Sequence, residues 1–206
     1  MALTALIIYL AWALLAFGLR SWTQWRRTGD AGFRGAGLAR GSLQWWARIL
    51  FAAALIGGLA GPVAGLAGLS PLPGADRPAL QAAGTALALL GTAATLAAQT
   101  SMGTSWRVGV AENETTDLVT SGAFAFARNP IFTAMIVTAA GLTAMVPNLV
   151  SLAALVLAMV SIELQVRAVE EPYLLRVHGT AYQQYASRVG RFLPGIGRLP
   201  NRAGTS

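Results

Sequence analysis

Residues 131–166, IFTAMIVTAAGLTAMVPNLVSLAALVLAMVSIELQV, consist of two apolar stretches on either side of Pro147-Asn148. Each stretch, 131–146 and 149–166, is close to the roughly 17 to 25 residues that a helix needs to cross a bilayer. Because two residues leave room only for a tight turn, we predict that the stretches form an antiparallel helical hairpin. Such a hairpin would bring the residues before position 131 close to those after position 166.

Three more apolar stretches precede the hairpin, at residues 3–19, 45–69 and 79–98. The chain has 55% hydrophobic and 11% charged residues and a mean hydropathy of +0.56, which is far from the average of soluble proteins. We therefore predict an all-α integral membrane protein with about five transmembrane helices. No basic residue precedes the first stretch and arginines follow it, which predicts a retained helix instead of a signal peptide.

The chain is predicted to divide near residue 98. Residues 1–98 would supply three transmembrane helices, in which Gly57-Gly58, Gly61 and Gly65 would let neighbouring helices approach closely. Residues 99–206 contain a polar loop, the hairpin and a C-terminal helical segment that we expect to be cytosolic and to bind a cofactor. The sequence carries no signal for the oligomeric state.

The charges predict the orientation of these helices. All 15 basic residues are arginines, and most lie in residues 20–48 and 167–202, next to apolar stretches. Under the positive-inside rule these segments face the cytoplasm, which places Met1 outside and residues 99–128 inside. No helix resembles a groove-reading element, so nucleic acid is not an expected partner. The chain has no cysteine, so it has neither disulfides nor thiolate nucleophiles.

Polar residues concentrate at the two hairpin ends that are predicted to meet. Asn129 is predicted to be the N-cap of the first helix, with Pro130 at the first helical position. The positive helix end favours an anion, and Arg128 can bind one in bidentate fashion. Beyond the second helix, Glu170 and Glu171 can accept hydrogen bonds from ribose hydroxyls or attract an amine or a sulfonium. The alternative is a pair of solvated helix ends anchored by snorkelling charges.

Other side chains near these ends leave two interpretations open. Tyr182, Tyr185 and Phe192 can flank a purine, or they can lie at the membrane interface. Glu163, Arg167 and Glu171 follow one another at intervals of four residues and can pair on one helix face. The single histidine, His178, has no partner at metal-ligand spacing, so we predict no metal site.

Taken in order, these motifs resemble the isoprenylcysteine carboxyl methyltransferases and their bacterial relatives, with phosphatidylethanolamine N-methyltransferases as more distant kin. The resemblance covers residues 99–194, about half of the chain. It rests on the following residues: Leu118-Val119-Thr120, Gly122, Phe124, Arg128-Asn129-Pro130, Glu170-Glu171, Gly179, Tyr182, Tyr185, Arg191-Phe192 and Pro194.

The resemblance implies a bacterial inner-membrane enzyme with a cytoplasmic pocket for S-adenosylmethionine. The methyl acceptor, a lipophilic small molecule or a lipidated group, would arrive from the bilayer. Arg128 and Glu171 would have catalytic roles, and Asn129 stands where many members have a histidine, so no general base is expected there. The residues implied in cofactor binding are Gly122, Arg128, Asn129, Pro130, Glu170, Glu171, Tyr182, Tyr185, Arg191 and Phe192.

Methyl transfer from a sulfonium depends mainly on alignment of the reacting atoms, and orientation can supply on the order of 7 to 11 kcal/mol. A carboxylate acceptor needs no base at neutral pH, whereas an amine or hydroxyl would need Glu170 or Glu171. This difference favours a carboxylate acceptor.

Two other functions fit part of the pattern. One is an NADPH-dependent reductase of the steroid 5-alpha-reductase type, although such reductases usually carry further His and Tyr residues that this chain lacks. The other is a non-catalytic membrane protein such as a transporter, which would be expected to have ionisable residues in mid-span. Within the predicted spans the acidic and basic residues are limited to Arg48, which lies near one end of its stretch, and Glu163, near a predicted cytoplasmic end.

Overall fold

The computed structural model describes residues 1–31, 39–103 and 117–200 of the chain, and these residues contain helices and no strands. The interior of the predicted 99–128 loop and the last six residues lie outside that description. Five apolar helices lie within the described residues, which confirms the predicted fold class: α1 (Ala2–Thr28), α2 (Leu43–Leu66), α3 (Pro78–Ser101), α4 (Pro130–Met145) and α5 (Leu149–Gln165). A π-helical turn, Val166–Glu170, connects α5 to a more polar helix, α6 (Glu171–Arg188).

The helix ends follow from local chemistry. Pro130 occupies the first turn of α4, as predicted, because it needs no hydrogen-bond partner there. Asn148 caps α5, since its Oδ1 accepts a hydrogen bond of 2.8 Å from the main-chain nitrogen of Ser151. The predicted hairpin of α4 and α5 around Pro147-Asn148 is therefore confirmed.

Helix α1 is longer than the apolar stretch at residues 3–19. It passes through a π-helical segment, Leu14–Leu19, and continues as Arg20–Thr28. A π-helical segment alters the regular pairing of main-chain carbonyls, and here the carbonyl of Ala16 accepts a hydrogen bond of 2.9 Å from Gln99 Nε2 of α3. The sequence expectation missed this extension because Arg20–Thr28 is polar.

Close helix packing depends on small residues. Helix α4 packs mainly against α3, α5 packs mainly against α2, and α1 contacts α2. A Cβ atom on Gly57 would lie 2.9 Å from Ala154, and Gly61 faces Ser151 in the same way. These contacts confirm that the glycines of α2 serve close packing.

The helices alternate in direction, so the bundle has two distinct ends. At one end, Arg20 at the start of the polar part of α1 donates to the carbonyl of Gly103, which follows α3. At the other, Leu72 donates to the carbonyl of Pro147 at 2.7 Å. Helix α5 continues through the π-helical turn into α6, and the helical segment Leu149–Arg188 has 40 residues with a kink at Gly179, where φ is +50°. Only its apolar part, α5, matches a hydrocarbon core of about 30 Å, so Glu170 and α6 lie beyond the membrane-spanning segment.

Candidate functional site

The two hairpin ends meet through an ion-pair cluster. Arg128, just before α4, donates from Nη2 to Oε1 of Glu171 at 2.6 Å. Arg191 donates to the same carboxylate from Nε and Nη2, each at 2.8 Å. The side chains of Arg128 and Glu171 are only 1% and 8% exposed, so one buried carboxylate lies between two guanidinium groups. The prediction that Arg128 and Glu171 come together is confirmed.

The other donors of Arg128 also bind groups of this chain. Nη1 donates to the main-chain carbonyls of Ala186 and Val189 at 3.0 and 2.6 Å, and Nη2 donates to that of Gly197 at 3.1 Å. Within the described residues, its Nε atom is buried without a hydrogen-bond partner. Arg128 thus connects the start of α4 to the end of α6 and to the C-terminal loop, residues 190–199.

The C-terminal loop lies along the segment that precedes α4. The main-chain nitrogens of Arg128 and Asn129 donate to the carbonyls of Gly190 and Arg191 at 2.9 and 3.0 Å. Asn129 occupies the N-cap position as predicted, but its side chain does not cap the helix. Its Nδ2 atom donates instead to the carbonyl of Arg191 at 3.0 Å. Asn129 therefore attaches the C-terminal loop to α4.

Thr133, one turn into α4, contributes a contact that sequence reasoning missed. Its Oγ1 atom donates to the carbonyl of Phe192 at 2.8 Å. A threonine near the start of an apolar helix carries no distinctive signal, because its hydroxyl usually bonds within its own helix. The contact places Phe192, half-buried, against the membrane-entering turn of α4.

Two glycines shape the backbone around the cluster. Gly122 has a φ of +61°, which favours glycine, and a Cβ atom there would lie 2.9 Å from Ser101 Oγ. Gly190 has no space for a side chain, because a Cβ atom would lie 2.7 Å from the carbonyl oxygen of Ile196. The structure therefore gives Gly122 a role in the turn before α4 and Gly190 a role in loop docking.

Two members of the predicted aromatic group lie inside the protein. Tyr182 and Tyr185 are both buried, with ring centroids 6.2 Å apart. Tyr185 donates from its hydroxyl to the carbonyl of Phe124 at 2.6 Å, and burial raises its pKa to about 12. Both tyrosines belong to the buried face of α6. The interpretation that they flank a purine stays a prediction.

The adjacent carboxyl groups of Glu170 and Glu171 have opposite pKa shifts. Burial alone would raise the pKa of Glu171, but hydrogen bonds and charges from Arg191 and Arg128 outweigh it and hold that pKa below its usual range. Burial raises the pKa of Glu170 to about 7, a hydrogen bond from Gln165 opposes this rise, and the charge of Glu171 adds to it. Neighbouring carboxyl groups with separated pKa values are typical of sites that need one ionised and one titrating group.

The charged side chains of Arg167 and Glu163 lie outside the cluster. Arg167 pairs with Glu163 on the exposed surface of the helix, as the four-residue spacing predicted. The alternative pair of Arg167 with Glu171 is not the one observed, because Glu171 turns toward Arg128 and Arg191. Among the residues that the structure describes, no three potential metal ligands lie together.

A comparison with known protein families identifies the segment that carries this site. Residues 80–181 match the family model described as phospholipid methyltransferase. None of the curated proteins compared with the chain matches it. The matched segment contains α4, α5 and Arg128, Glu170 and Glu171, and it ends just before Tyr182. Over residues 80–181 this chain is similar to the phospholipid methyltransferase family, which is consistent with a distant relationship to the membrane methyltransferases.

Proposed function

We propose that this protein transfers a methyl group from S-adenosylmethionine to a lipophilic, membrane-resident acceptor, with a carboxylate as the favoured methyl-accepting group. The family match supports a membrane methyltransferase that acts on lipid-type substrates. The observation that carries the proposal is the cluster of Arg128, Glu171 and Arg191 at the polar end of an apolar hairpin, with the titrating Glu170 beside it. Such a site lies where a polar cofactor and an apolar acceptor can meet.

The groups at this site suit the chemistry of S-adenosylmethionine, which carries a carboxylate, an amine, a ribose and a purine. Arg191 uses Nε and Nη2 for Glu171, which leaves Nη1 to donate toward a carboxylate. Glu170 can accept hydrogen bonds from an amine or from ribose hydroxyls. When bound, S-adenosylmethionine would supply a methyl group on a sulfonium, an already activated leaving group.

The chain would contribute orientation and charge. Glu171 is held ionised between two cations, so it is a poor proton acceptor, and we assign it a positioning role in the docking of the C-terminal loop. Arg128 has the same role through its carbonyl contacts. A carboxylate acceptor is already ionised at neutral pH, so none of these residues has to act as a base. Alignment of the acceptor oxygen is then the main requirement.

A second candidate acceptor is the amine of a phospholipid headgroup. The family description favours it, and Glu170, whose pKa is raised to about 7, would be poised to accept the proton that an amine must lose. The two acceptor classes therefore differ in whether Glu170 must accept a proton.

The proposed orientation places this site in the cytoplasm and Met1 outside. Among the arginines that the structure describes, Arg77 alone lies at the end of the bundle opposite the site. Such an excess of arginine at one end is typical of the cytoplasmic side, and in a bacterium the membrane would be the inner one.

The first test is calorimetric titration of the purified protein with S-adenosylmethionine, and separately with NADPH. We expect S-adenosylmethionine to bind the wild-type protein and Glu170→Gln to weaken this binding by about 10-fold. Glu163→Gln, in α5, is the control and should leave the binding unchanged. Binding of NADPH in place of S-adenosylmethionine would favour the reductase alternative. Binding of neither would overturn both enzymatic functions.

The second test measures methyl transfer to a fatty or prenylated carboxylic acid and to phosphatidylethanolamine. We expect transfer to the carboxylic acid at a rate that Glu170→Gln lowers only through weaker cofactor binding, so that it recovers at saturating S-adenosylmethionine. Transfer confined to the amine lipid, and lost at saturation in Glu170→Gln, would overturn the carboxylate proposal and establish the amine acceptor.

A further inference from the structure

The C-terminal loop carries large apolar side chains on its surface. Leu193 is 51% exposed and Ile196 is 64% exposed. Phe126, in the segment along which the loop lies, is 70% exposed, and the next residue, Ala127, forms a β-bridge with Gly190 of the loop. Apolar side chains gain free energy when they leave water, and several of them exposed together mark a surface that contacts something else.

The packing of α3 against α4 indicates how deep the loop lies. A Cβ atom on Gly91 of α3 would lie 2.6 Å from the main-chain nitrogen of Thr138 in α4. The two helices run in opposite directions, so five residues nearer the site Thr133 is level with Leu96. Leu96 belongs to the apolar stretch at residues 79–98. The first turn of α4 therefore lies within the apolar part of the bundle, close to its edge.

The C-terminal loop is bonded to α4 at this level. The hydroxyl of Thr133 donates to the carbonyl of Phe192 at 2.8 Å, and Leu193 is the next residue in the loop. The loop thus lies beside the start of a membrane-spanning helix, at the edge of the hydrocarbon core. Arg198, which is exposed, follows Ile196 by two residues, and an arginine side chain is long enough to reach from this edge to the headgroups.

The main chain of the loop suits the edge of a bilayer, where an unpaired polar group is costly. The carbonyls of residues 189–193 each accept a hydrogen bond from a group of this chain. The carbonyls of Ile196 and Gly197 do so as well, from the main-chain nitrogen of Arg191 and from Nη2 of Arg128. A loop that faced only water could leave these carbonyls to the solvent. One that is bonded in this way can approach lipid without exposing them.

We propose that Phe126, Leu193 and Ile196 insert into the bilayer leaflet next to the site, at the boundary between headgroups and acyl chains. The partner is the lipid bilayer, because the loop is continuous with the membrane-entering turn of α4 through Thr133. Amphipathic segments at this boundary insert about 5 to 10 Å deep. Insertion also supports the docked position of Arg191, which precedes Leu193 by two residues and binds Glu171. The proposal does not depend on the proposed function.

The absence of cysteine from the chain makes a depth measurement straightforward, because one introduced cysteine carries the only spin label. Leu193→Cys and Ile196→Cys are made in the full-length protein, labelled with a nitroxide and reconstituted into vesicles of palmitoyl-oleoyl phosphatidylcholine. Power saturation in electron paramagnetic resonance measures the accessibility of each label to oxygen, which concentrates in lipid, and to a nickel chelate, which stays in water.

Two further variants set the scale of this measurement. Ile56→Cys, at an exposed apolar position near the middle of α2, gives the value for lipid. Gln184→Cys, at an exposed polar position of α6, gives the value for water. We expect the ratio of oxygen to nickel accessibility at both loop positions to be several-fold higher than at Gln184→Cys.

A ratio as low as that of Gln184→Cys at either loop position would show that the loop faces water, and the proposal would be wrong. Low accessibility to both reagents would show that protein covers the loop, for example a second copy of the chain, and would also overturn it. Both loop positions are exposed, so their replacement leaves no cavity, and cooperative thermal unfolding confirms that each labelled variant is folded.

Discussion

The Nη2 atom of Arg128 lies 2.6 Å from Oε1 of Glu171, although the two residues are 43 positions apart in the chain. The same oxygen accepts a second hydrogen bond, from Arg191 Nε at 2.8 Å. One buried carboxylate therefore holds together the start of α4, the start of α6 and the C-terminal loop. Removal of one member of such a cluster leaves the other charges buried without compensation.

Replacement of Glu171 by Gln should destabilise the protein strongly. The variant leaves Arg128 and Arg191 without their carboxylate, and breaking a buried pair costs about 3 to 5 kcal/mol. The free energy of unfolding in detergent, measured with denaturant, checks this value. The control is Glu163→Gln, which removes an exposed pair with Arg167 and should change stability by less than about 1 kcal/mol. Equal effects of the two variants would show that the buried cluster contributes no more than a surface pair.

Replacement of Gly190 by Ala should release the C-terminal loop from α4. The added Cβ would lie 2.7 Å from the carbonyl oxygen of Ile196, and such overpacking costs about 1 to 3 kcal/mol. Limited trypsin digestion measures the release, because Arg191 and Arg198 become better cleavage sites in a detached loop. Ser187→Ala, at a partly exposed position near the end of α6, is the control. Unchanged digestion of the Gly190 variant would mean that the loop tolerates the extra methyl group.

Glu170 should make the protein less stable as the pH rises. Its pKa is about 7 in the folded protein and 4.5 when unperturbed, so between these values the folded state binds more protons than the unfolded state. The free energy of unfolding should therefore fall as the pH rises through this window. Glu171 acts in the opposite direction and in a lower window, since its lowered pKa weakens the fold only under more acidic conditions.

Denaturant unfolding across the pH window from 4.5 to about 7 checks this prediction. Glu170→Gln cannot titrate, so its stability should decline less over that window than the stability of the wild-type protein. Glu163→Gln, which keeps Glu170, should follow the wild-type curve. A wild-type curve that is flat, or that rises, would show that burial does not shift the pKa of Glu170.

Replacement of Gly141 by Ala should separate α3 from α4. An added Cβ would lie 2.6 Å from the carbonyl oxygen of Gly84 and 2.9 Å from Ala88 Cα, both in the main chain of α3. Main-chain atoms cannot rotate away, so we expect a loss of about 1 to 3 kcal/mol and a lower thermal unfolding temperature. Leu90→Ala, at a position that is 66% exposed on α3, is the comparison and should cost less. Similar losses in both variants would contradict a tight contact at Gly141.

Sequence reasoning predicted the hairpin and the meeting of its ends because these depend on few quantities. Two apolar stretches and a two-residue turn allow one arrangement, so Arg128 and Glu171 had to become neighbours. The end of α1 was predicted less well, since Thr28 lies beyond the apolar stretch and polar residues there continue the helix. Asn129 shows a third case: its N-cap position follows from Pro130, whereas its side-chain partner, the carbonyl of Arg191, depends on a distant loop.

The sequence by itself determined the number of apolar helices, their alternating direction and the arginine-rich end of the bundle. These properties are local, because a segment in a bilayer must satisfy its main-chain hydrogen bonds within itself, and hydropathy records which segments can do so. Only the tertiary structure decided that Glu171 binds Arg128 and Arg191 instead of Arg167, which lies four residues before it. That choice depends on where the C-terminal loop docks, because the loop brings Arg191 to the carboxylate and burial strengthens the attraction between the paired charges.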